Sequence, residues 1–154
     1  MPKRYRAVKV LLSCLLIAGL SPVWADSAAE ESIDKREDLM KGMGGHMKAI
    51  KKILGGATDV GTIVEHADGL AMLTSNLATD LKALFPVDSN QGDSEASATI
   101  WKNWAEFEKI AHSAATKGAT LKTSSSGDSA AISLAYKELG EVCKACHKDY
   151  RIEK

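Results

Sequence analysis

Two cysteines and a histidine near the end of the chain stand in an order that can hold a cofactor. Cys143, Cys146 and His147 form the motif Cys-x-x-Cys-His, which is the attachment sequence of c-type haem. Two thiols on one helical turn can each add to a haem vinyl group, and the next imidazole can then ligate the iron. The alternatives are a thioredoxin-like dithiol, half of a zinc site and a plain disulfide. The first lacks a βαβ context and the second lacks two nearby ligands, so the motif predicts one covalently attached haem c.

The first 25 residues have the pattern of an export signal. A basic start, an apolar run from Val10 to Leu20 and small residues up to Ala25 are typical of a secretory signal peptide over residues 1–25. We expect cleavage after Ala25 and a periplasmic protein formed by residues 26–154. The apolar run is too short for a membrane-spanning helix, which needs about 20 apolar residues. A lipoprotein signal that uses Cys14 is the competing interpretation.

Cleavage would change both the charge and the cysteine content. All 20 acidic residues follow Ala25 whereas four of the 20 basic residues precede it, so the mature chain would carry a net charge of −4. Such a surface gives no support for nucleic-acid binding, which needs a basic patch. Without Cys14 only the two motif cysteines remain. A free pair tends to form a disulfide in an oxidising compartment, whereas thioether bonds to haem would consume both thiols.

The rest of the chain has the pattern of one helical domain. Apolar residues recur at helical spacing in four segments, and Pro86 lies between two of them. Short links rich in Gly or Ser separate the segments, and Asp128 is a candidate N-cap of the last one. The sequence therefore predicts an all-α, antiparallel four-helix bundle, with helices at about 32–54, 59–84, 95–122 and 128–151.

Arg36 stands in the apolar stripe of the first predicted helix. The stripe includes Ile33, Met40, Met47 and Leu54, which are spaced by seven residues. A buried guanidinium is costly without a partner, and a haem propionate would supply one. The alternative is that Arg36 lies near the helix start and extends to water. Three glycines at 42, 44 and 45 are unusual in a helix interior. They indicate either a close approach by a flat macrocycle or a neighbouring helix, or a local break.

The haem motif on the last helix, with Arg36-Glu37-Asp38-Leu39-Met40 near the start of the first, resembles the cytochrome c′ and cytochrome c-556 family. The resemblance covers essentially all of the mature chain and includes Phe107 and Tyr150-Arg151. It implies that Arg36 lies near the haem propionates and that Met40 faces the iron opposite His147. Met40 is one helical turn from Arg36, so both can face one haem.

The resemblance implies two functions that differ at the residue matching Met40. Members of the c-556 type carry Met there and are six-coordinate, low-spin electron carriers. Cytochromes c′ proper carry a non-ligating residue and leave a five-coordinate iron that binds nitric oxide or carbon monoxide. We therefore expect a periplasmic single-electron carrier with His/Met ligation, with a gas-binding cytochrome c′ as the first alternative. A haem-free helical protein with a redox dithiol is the second. No pattern of catalytic residues predicts an enzyme.

Several other residues are candidates for contact with the cofactor or the iron. By spacing, Met43 competes with Met40 as iron ligand, and the resemblance favours Met40. His46 is a further candidate for that position. The expected contacts around the porphyrin are Arg36, Met43, Met47, Trp104, Phe107, Tyr150 and Arg151. We expect redox partner proteins, and the resemblance permits a homodimer through the first two helices and a small gas ligand. We expect neither a nucleic-acid partner nor integral insertion into a membrane.

Overall fold

Long helices account for most of the computed structural model, which describes residues 23–58 and 61–153. The predicted signal peptide falls mainly on residues outside this part. The described helices are α1 (Val23–Leu54), α2 (Ile63–Thr79), α3 (Leu81–Leu84), α4 (Thr99–Lys102), α5 (Trp104–Ser124) and α6 (Ser129–Tyr150).

The four predicted helices correspond to the four long helices, and the first three need correction. The first is already helical at Val23, where the described residues begin, ahead of the predicted start at Ser32, and it ends at Leu54 as predicted. The second begins at Ile63. A bend at Asp80 separates its last turn, which forms the short helix α3. The third is interrupted at Asn103. Asp and Asn are weak helix formers because their side chains compete for backbone hydrogen bonds. A helix is therefore easily interrupted at either residue.

Two helix starts are fixed by local side-chain hydrogen bonds. Thr62 and Glu65 form a capping box at the start of α2, in which the Glu65 N–H donates to the Thr62 hydroxyl and the Thr62 N–H donates to the Glu65 carboxylate. Asp128 caps α6 by accepting a hydrogen bond of 2.8 Å from the Ala131 N–H. The predicted Asp128 cap is therefore confirmed.

The long helices form an antiparallel four-helix bundle, as the sequence predicts. α2 packs on α1 and α5, and α5 packs on α6, whereas contacts between α1 and α6 are sparse. The centre of the core contains the fully buried side chains of Ile50, Leu70, Leu121 and Leu139, one from each long helix. Within residues 23–58 and 61–153, no helix has the length and apolarity needed to cross a membrane.

A short extended segment after α3, residues 95–97, pairs with the backbone at the end of α6. The N–H of Ser97 donates to the Tyr150 carbonyl at 2.9 Å, and the N–H of Ile152 donates to the Glu95 carbonyl at 2.8 Å. The Glu95 carboxylate also pairs with Arg151 at 2.6 Å. This pairing with residues far along the chain explains why residues 95–98 are not helical, although the sequence predicted a helix from residue 95.

We predict that Gly118→Ala destabilises the bundle. Gly118 is buried on α5, and a Cβ there would collide with the Thr74 hydroxyl and lie 3.3 Å from the Ala71 Cα on α2. Forced separation of two packed helices costs about 1–3 kcal/mol. Urea unfolding followed by circular dichroism should show this loss. The control Thr120→Ala, at an exposed position of α5, should change the free energy of unfolding by less than about 0.5 kcal/mol. Equal effects of the two substitutions would contradict the packing argument.

Candidate functional site

A cavity opens where α1 and α6 are least closely packed. Its volume is about 720 Å³, within the range of about 300–1,000 Å³ typical of cofactor and ligand pockets. Residues of α1 form one wall and residues of α6 the opposite wall, while residues between 85 and 107 close the floor. The lining residues are Ile33, Arg36, Glu37, Met40, Lys41, Gly44, Gly45, Lys48, Phe85, Ser94, Glu95, Ala96, Ile100, Phe107, Cys146, His147, Tyr150 and Arg151.

The α6 wall carries the Cys-x-x-Cys-His motif. Cys146 and His147 line the cavity, and Cys143 packs against the core one turn earlier. Both thiols are free rather than joined in a disulfide. Burial, helped by Cys143 and Asp149, raises the pKa of the Cys146 thiol to about 11. Desolvation and the positive charge of Arg151 lower the pKa of His147 against an opposing effect of Glu95. This lowered pKa favours the neutral imidazole, which is the form that ligates metals.

The α1 wall places Arg36 and Met40 in the same cavity. The two residues are four apart on a continuous helix, so their side chains lie on one face. Met40 is half-buried and packs against the core. The cavity thus has a thioether on one wall and an imidazole on the other. These are two side chains that haem iron accepts as axial ligands.

The guanidinium of Arg36 is buried and binds the end of α3 and the segment that follows it. Nη1 donates to the Leu84 carbonyl at 2.9 Å and the Ser89 hydroxyl at 2.7 Å. Nη2 donates to the Ser89 carbonyl at 2.6 Å and the Ser94 hydroxyl at 2.8 Å. The cation also lies 4.8 Å from the centre of the Phe85 ring. Four of the five guanidinium N–H donors are therefore used within the chain.

Because of this network, the Arg36 guanidinium does not need a haem propionate as its partner. The sequence predicted such a partner partly because a buried guanidinium needs one, and the chain supplies its own acceptors. Arg36 still lines the cavity, and these four hydrogen bonds leave its Nε–H for another acceptor. Contact with a propionate stays a prediction. The alternative that Arg36 extends to water is wrong, because the side chain is buried.

Aromatic side chains form the cavity floor. Phe85 and Phe107 meet edge to face with ring centres 4.8 Å apart, and Phe107 and Tyr150 do so at 5.1 Å. All three are buried, and edge-to-face pairs stabilise by about 0.5–1.5 kcal/mol beyond their burial. The floor is therefore a largely apolar surface of packed aromatic rings. The sequence singled out Phe107 and Tyr150 but missed Phe85, Ile100 and the 94–96 segment, which carry no local signal.

Three expected porphyrin contacts do not line the cavity. Met43 is buried in the core, and Met47 is partly buried against it. Trp104 packs on Phe107, with ring centres 5.8 Å apart, and does not itself line the cavity. Their contact with a cofactor stays a prediction. His46 faces His66 on α2 rather than the cavity.

The glycines of α1 allow close packing against α2 and leave part of the cavity wall without side chains. The helix runs without interruption through residues 42–45, so of the two alternatives for these glycines the local break is wrong. Gly42 lies against α2, where a Cβ would be 3.1 Å from the Leu73 Cδ1. Gly44 and Gly45 line the cavity, and a Cβ on either would meet no atom within 4 Å. The wall beside Met40 is thus bare backbone that a flat group can approach.

The residues present fit a haem. The cavity is large, its floor is aromatic, and its α6 wall offers a free thiol and a neutral imidazole in the order that the attachment motif requires. Cys143 and Cys146 would hold the macrocycle, His147 would be the axial ligand, and Arg36 and Arg151 are cations on the cavity wall. A four-helix bundle with such a cavity defines a haem-binding c-type cytochrome of the bundle class.

Comparisons with known proteins agree with this class. The family model for cytochrome c′ matches residues 31–151. A cytochrome c-556 from Agrobacterium tumefaciens (strain B2A) is 31% identical over 125 residues, covering 79% of this chain and 98% of the relative. A cytochrome c′ from Pararhodospirillum photometricum is 30% identical, covering 81% and 99%. A solved cytochrome c′ with an unusual ligand-controlled dimer dissociation superposes with a TM-score of 0.71 at 26% identity, covering 88% and 100%.

The chain belongs to the cytochrome c′ family, as the resemblance implied. Membership assigns it one covalently attached haem c, which confirms the predicted cofactor. Proteins of this family are periplasmic haem proteins rather than classical enzymes.

We predict that Arg36→Lys destabilises the protein by about 2–4 kcal/mol, because a lysine cannot reach four acceptors in two directions and buried acceptors would lose their donors. Urea unfolding of the haem-loaded protein measures the loss. The control Lys35→Gln removes a neighbouring exposed cation that pairs with Glu31 and should cost less than about 1 kcal/mol. If both variants unfolded at the same urea concentration, the network would not be stabilising.

Proposed function

We propose that this chain is a periplasmic monohaem cytochrome c′ that binds a small gas molecule, nitric oxide or carbon monoxide, on the Met40 side of its haem. Cys143 and Cys146 form the thioether bonds and His147 is the proximal ligand. The observation that carries the proposal is the match of residues 31–151 to the cytochrome c′ family model, together with a cavity lined by His147 on α6 and by bare glycine backbone beside Met40 on α1. Cleavage after Ala25 remains part of the proposal.

The cavity walls support ligand entry beside Met40. Haem supplies an iron centre that exchanges single electrons and accepts a diatomic ligand. Gly44 and Gly45 leave the backbone bare, and Met40 is the cavity-lining side chain of α1 that could ligate the iron and would then have to move aside. A thioether on an unbranched side chain has several rotamers of similar energy. The cytochromes c′ among the relatives favour this alternative over the low-spin electron carrier that the sequence analysis placed first.

The second candidate is a six-coordinate electron carrier in which Met40 is a permanent ligand. The position of Met40 favours it, as does the similarity to cytochromes c-556. A thioether ligand raises the reduction potential. In either case the exposed Lys144 and Lys148 beside His147 would help to place an acidic redox partner. The haem-free dithiol alternative loses support, because the attached haem consumes both thiols.

Homodimer formation is a separate part of the proposal. One solved relative shows ligand-controlled dimer dissociation. Exposed apolar residues on α2, Val64 and Met72, are compatible with an interface through the first two helices. Concentration-dependent sedimentation would measure this association.

We predict that Met40→Leu accelerates carbon monoxide binding to the reduced protein at least tenfold. Leucine has nearly the volume of methionine but cannot ligate iron, so the gas would no longer displace a sulfur. Stopped-flow absorbance measures the rate. Met43→Leu is the matched control, because Met43 is buried in the core away from the cavity, and it should leave the rate unchanged.

The same measurement separates the two candidates. Carbon monoxide binding by the unmodified protein supports the gas-binding proposal. Binding by Met40→Leu alone supports the permanent His/Met carrier. Equal rates in all three proteins would show that Met40 does not occupy the ligand side.

A further inference from the structure

Two histidines outside the haem cavity meet at the interface of α1 and α2. His46 on α1 and His66 on α2 approach with their Nδ1 atoms 2.9 Å apart. Their ring centres are 5.2 Å apart and the rings are inclined at 58°. Both side chains are half-buried, and neither lines the haem cavity. The proposed haem function uses neither residue.

We propose that His46 and His66 form a binding site for a divalent transition-metal ion, of the class of Cu²⁺, Ni²⁺ or Zn²⁺, that bridges α1 and α2. Imidazole nitrogen is a preferred ligand for these ions. Two metal–nitrogen bonds of about 2.0–2.1 Å that meet at a right angle place the nitrogens about 2.9 Å apart. The two Nδ1 atoms are therefore already at the separation that adjacent positions of a square-planar or tetragonal site require, and each ring has only to turn its lone pair from the other ring toward the ion. A tetrahedral site would need the nitrogens to separate to about 3.3 Å.

The backbone of α2 makes room for this pair. The His46 ring packs directly on Gly69, and a Cβ at that position would collide with its Nε2, Cε1 and Cδ2 atoms. On the other side, Gly61 has a φ of +87°, and a Cβ there would lie 3.2 Å from the Nε2 of His66. Glycine at these two places lets both rings turn their Nδ1 atoms toward each other.

The lowered pKa of His46 and a nearby carboxylate favour the binding of a metal cation at the pair. Burial, with a smaller effect of His66, lowers the pKa of His46, so His46 is neutral near pH 7 and can ligate. The hydrogen bond between the rings needs a proton on one Nδ1. A metal ion would replace that proton, which passes through solvent to the Nε2 of the same ring, so that both Nδ1 atoms can bind the ion. The nearby Glu65 carboxylate, which also caps α2, adds a negative charge.

The site has two protein ligands. Among residues 23–58 and 61–153, no third His, Cys, Asp or Glu side chain completes a metal-binding group. Water would fill the remaining positions, and a ligand from a second molecule could replace it. The ion would connect α1 to α2, so its binding should stabilise the folded bundle. This inference does not depend on which gas or electron partner the haem serves.

Calorimetric titration of the untagged, chelator-treated haem protein with Ni²⁺ and with Zn²⁺ tests the site. We expect one saturable equivalent in the unmodified protein and at least a tenfold weaker affinity in both His46→Ala and His66→Ala. His112→Ala is the control, because His112 is exposed on α5, and it should bind as the unmodified protein does. Circular dichroism and the haem spectrum establish that each variant is folded, and His46→Gln and His66→Gln replace any alanine variant that is not.

Thermal unfolding gives a second readout. Saturating Ni²⁺ should raise the Tm of the unmodified protein and of His112→Ala, and should leave the Tm of the two site variants unchanged. Absence of a saturable equivalent in the unmodified protein would overturn the proposal. Undiminished affinity in the folded His46 and His66 variants, or loss of binding in His112→Ala, would also overturn it.

Discussion

The buried guanidinium of Arg36 is the constraint on which the geometry of the cavity depends. A cation removed from water must recover its hydration energy from hydrogen bonds, and Arg36 does so with four acceptors contributed by Leu84, Ser89 and Ser94. These bonds attach the segment after α3 to α1. They also place Phe85 under the cation and next to Phe107. One side chain of α1 thus positions much of the cavity floor.

The same segment then reaches α6. Residues 95–97 pair with the backbone of residues 150–152, and Arg151 closes the contact through Glu95. The end of α6, which carries His147, is therefore connected through this segment to Arg36 on α1. Since α1 and α6 touch each other only sparsely, the distance between the walls is set by the floor and the segment between them. Such an arrangement holds an open cavity within a packed bundle and leaves Met40 facing it.

The sequence predicted those features that depend on nearby residues. The end of α1 at Leu54, the Asp128 cap and the Cys-x-x-Cys-His motif are all set within a few positions of the chain. The breaks at Asp80 and Asn103 were missed because Asp and Asn are weak helix formers that need not end a helix. The extended residues 95–97 were missed because their pairing partners, residues 150–152, are far along the chain. The acceptors of Arg36 are 48 to 58 residues away, so the stripe position of Arg36 showed that it needed a partner without showing which one. His46 and His66, 20 residues apart, meet only after α1 and α2 pack.

The central claim is that the cavity between α1 and α6 holds one haem bonded to the α6 cysteines. The most direct test is the mass of the denatured protein after export by a host that matures c-type cytochromes. The account predicts the mass of the mature chain plus one haem, with no thiol left to react with an alkylating reagent. A mass equal to the chain alone, with Cys143 and Cys146 reactive or joined in a disulfide, would contradict it.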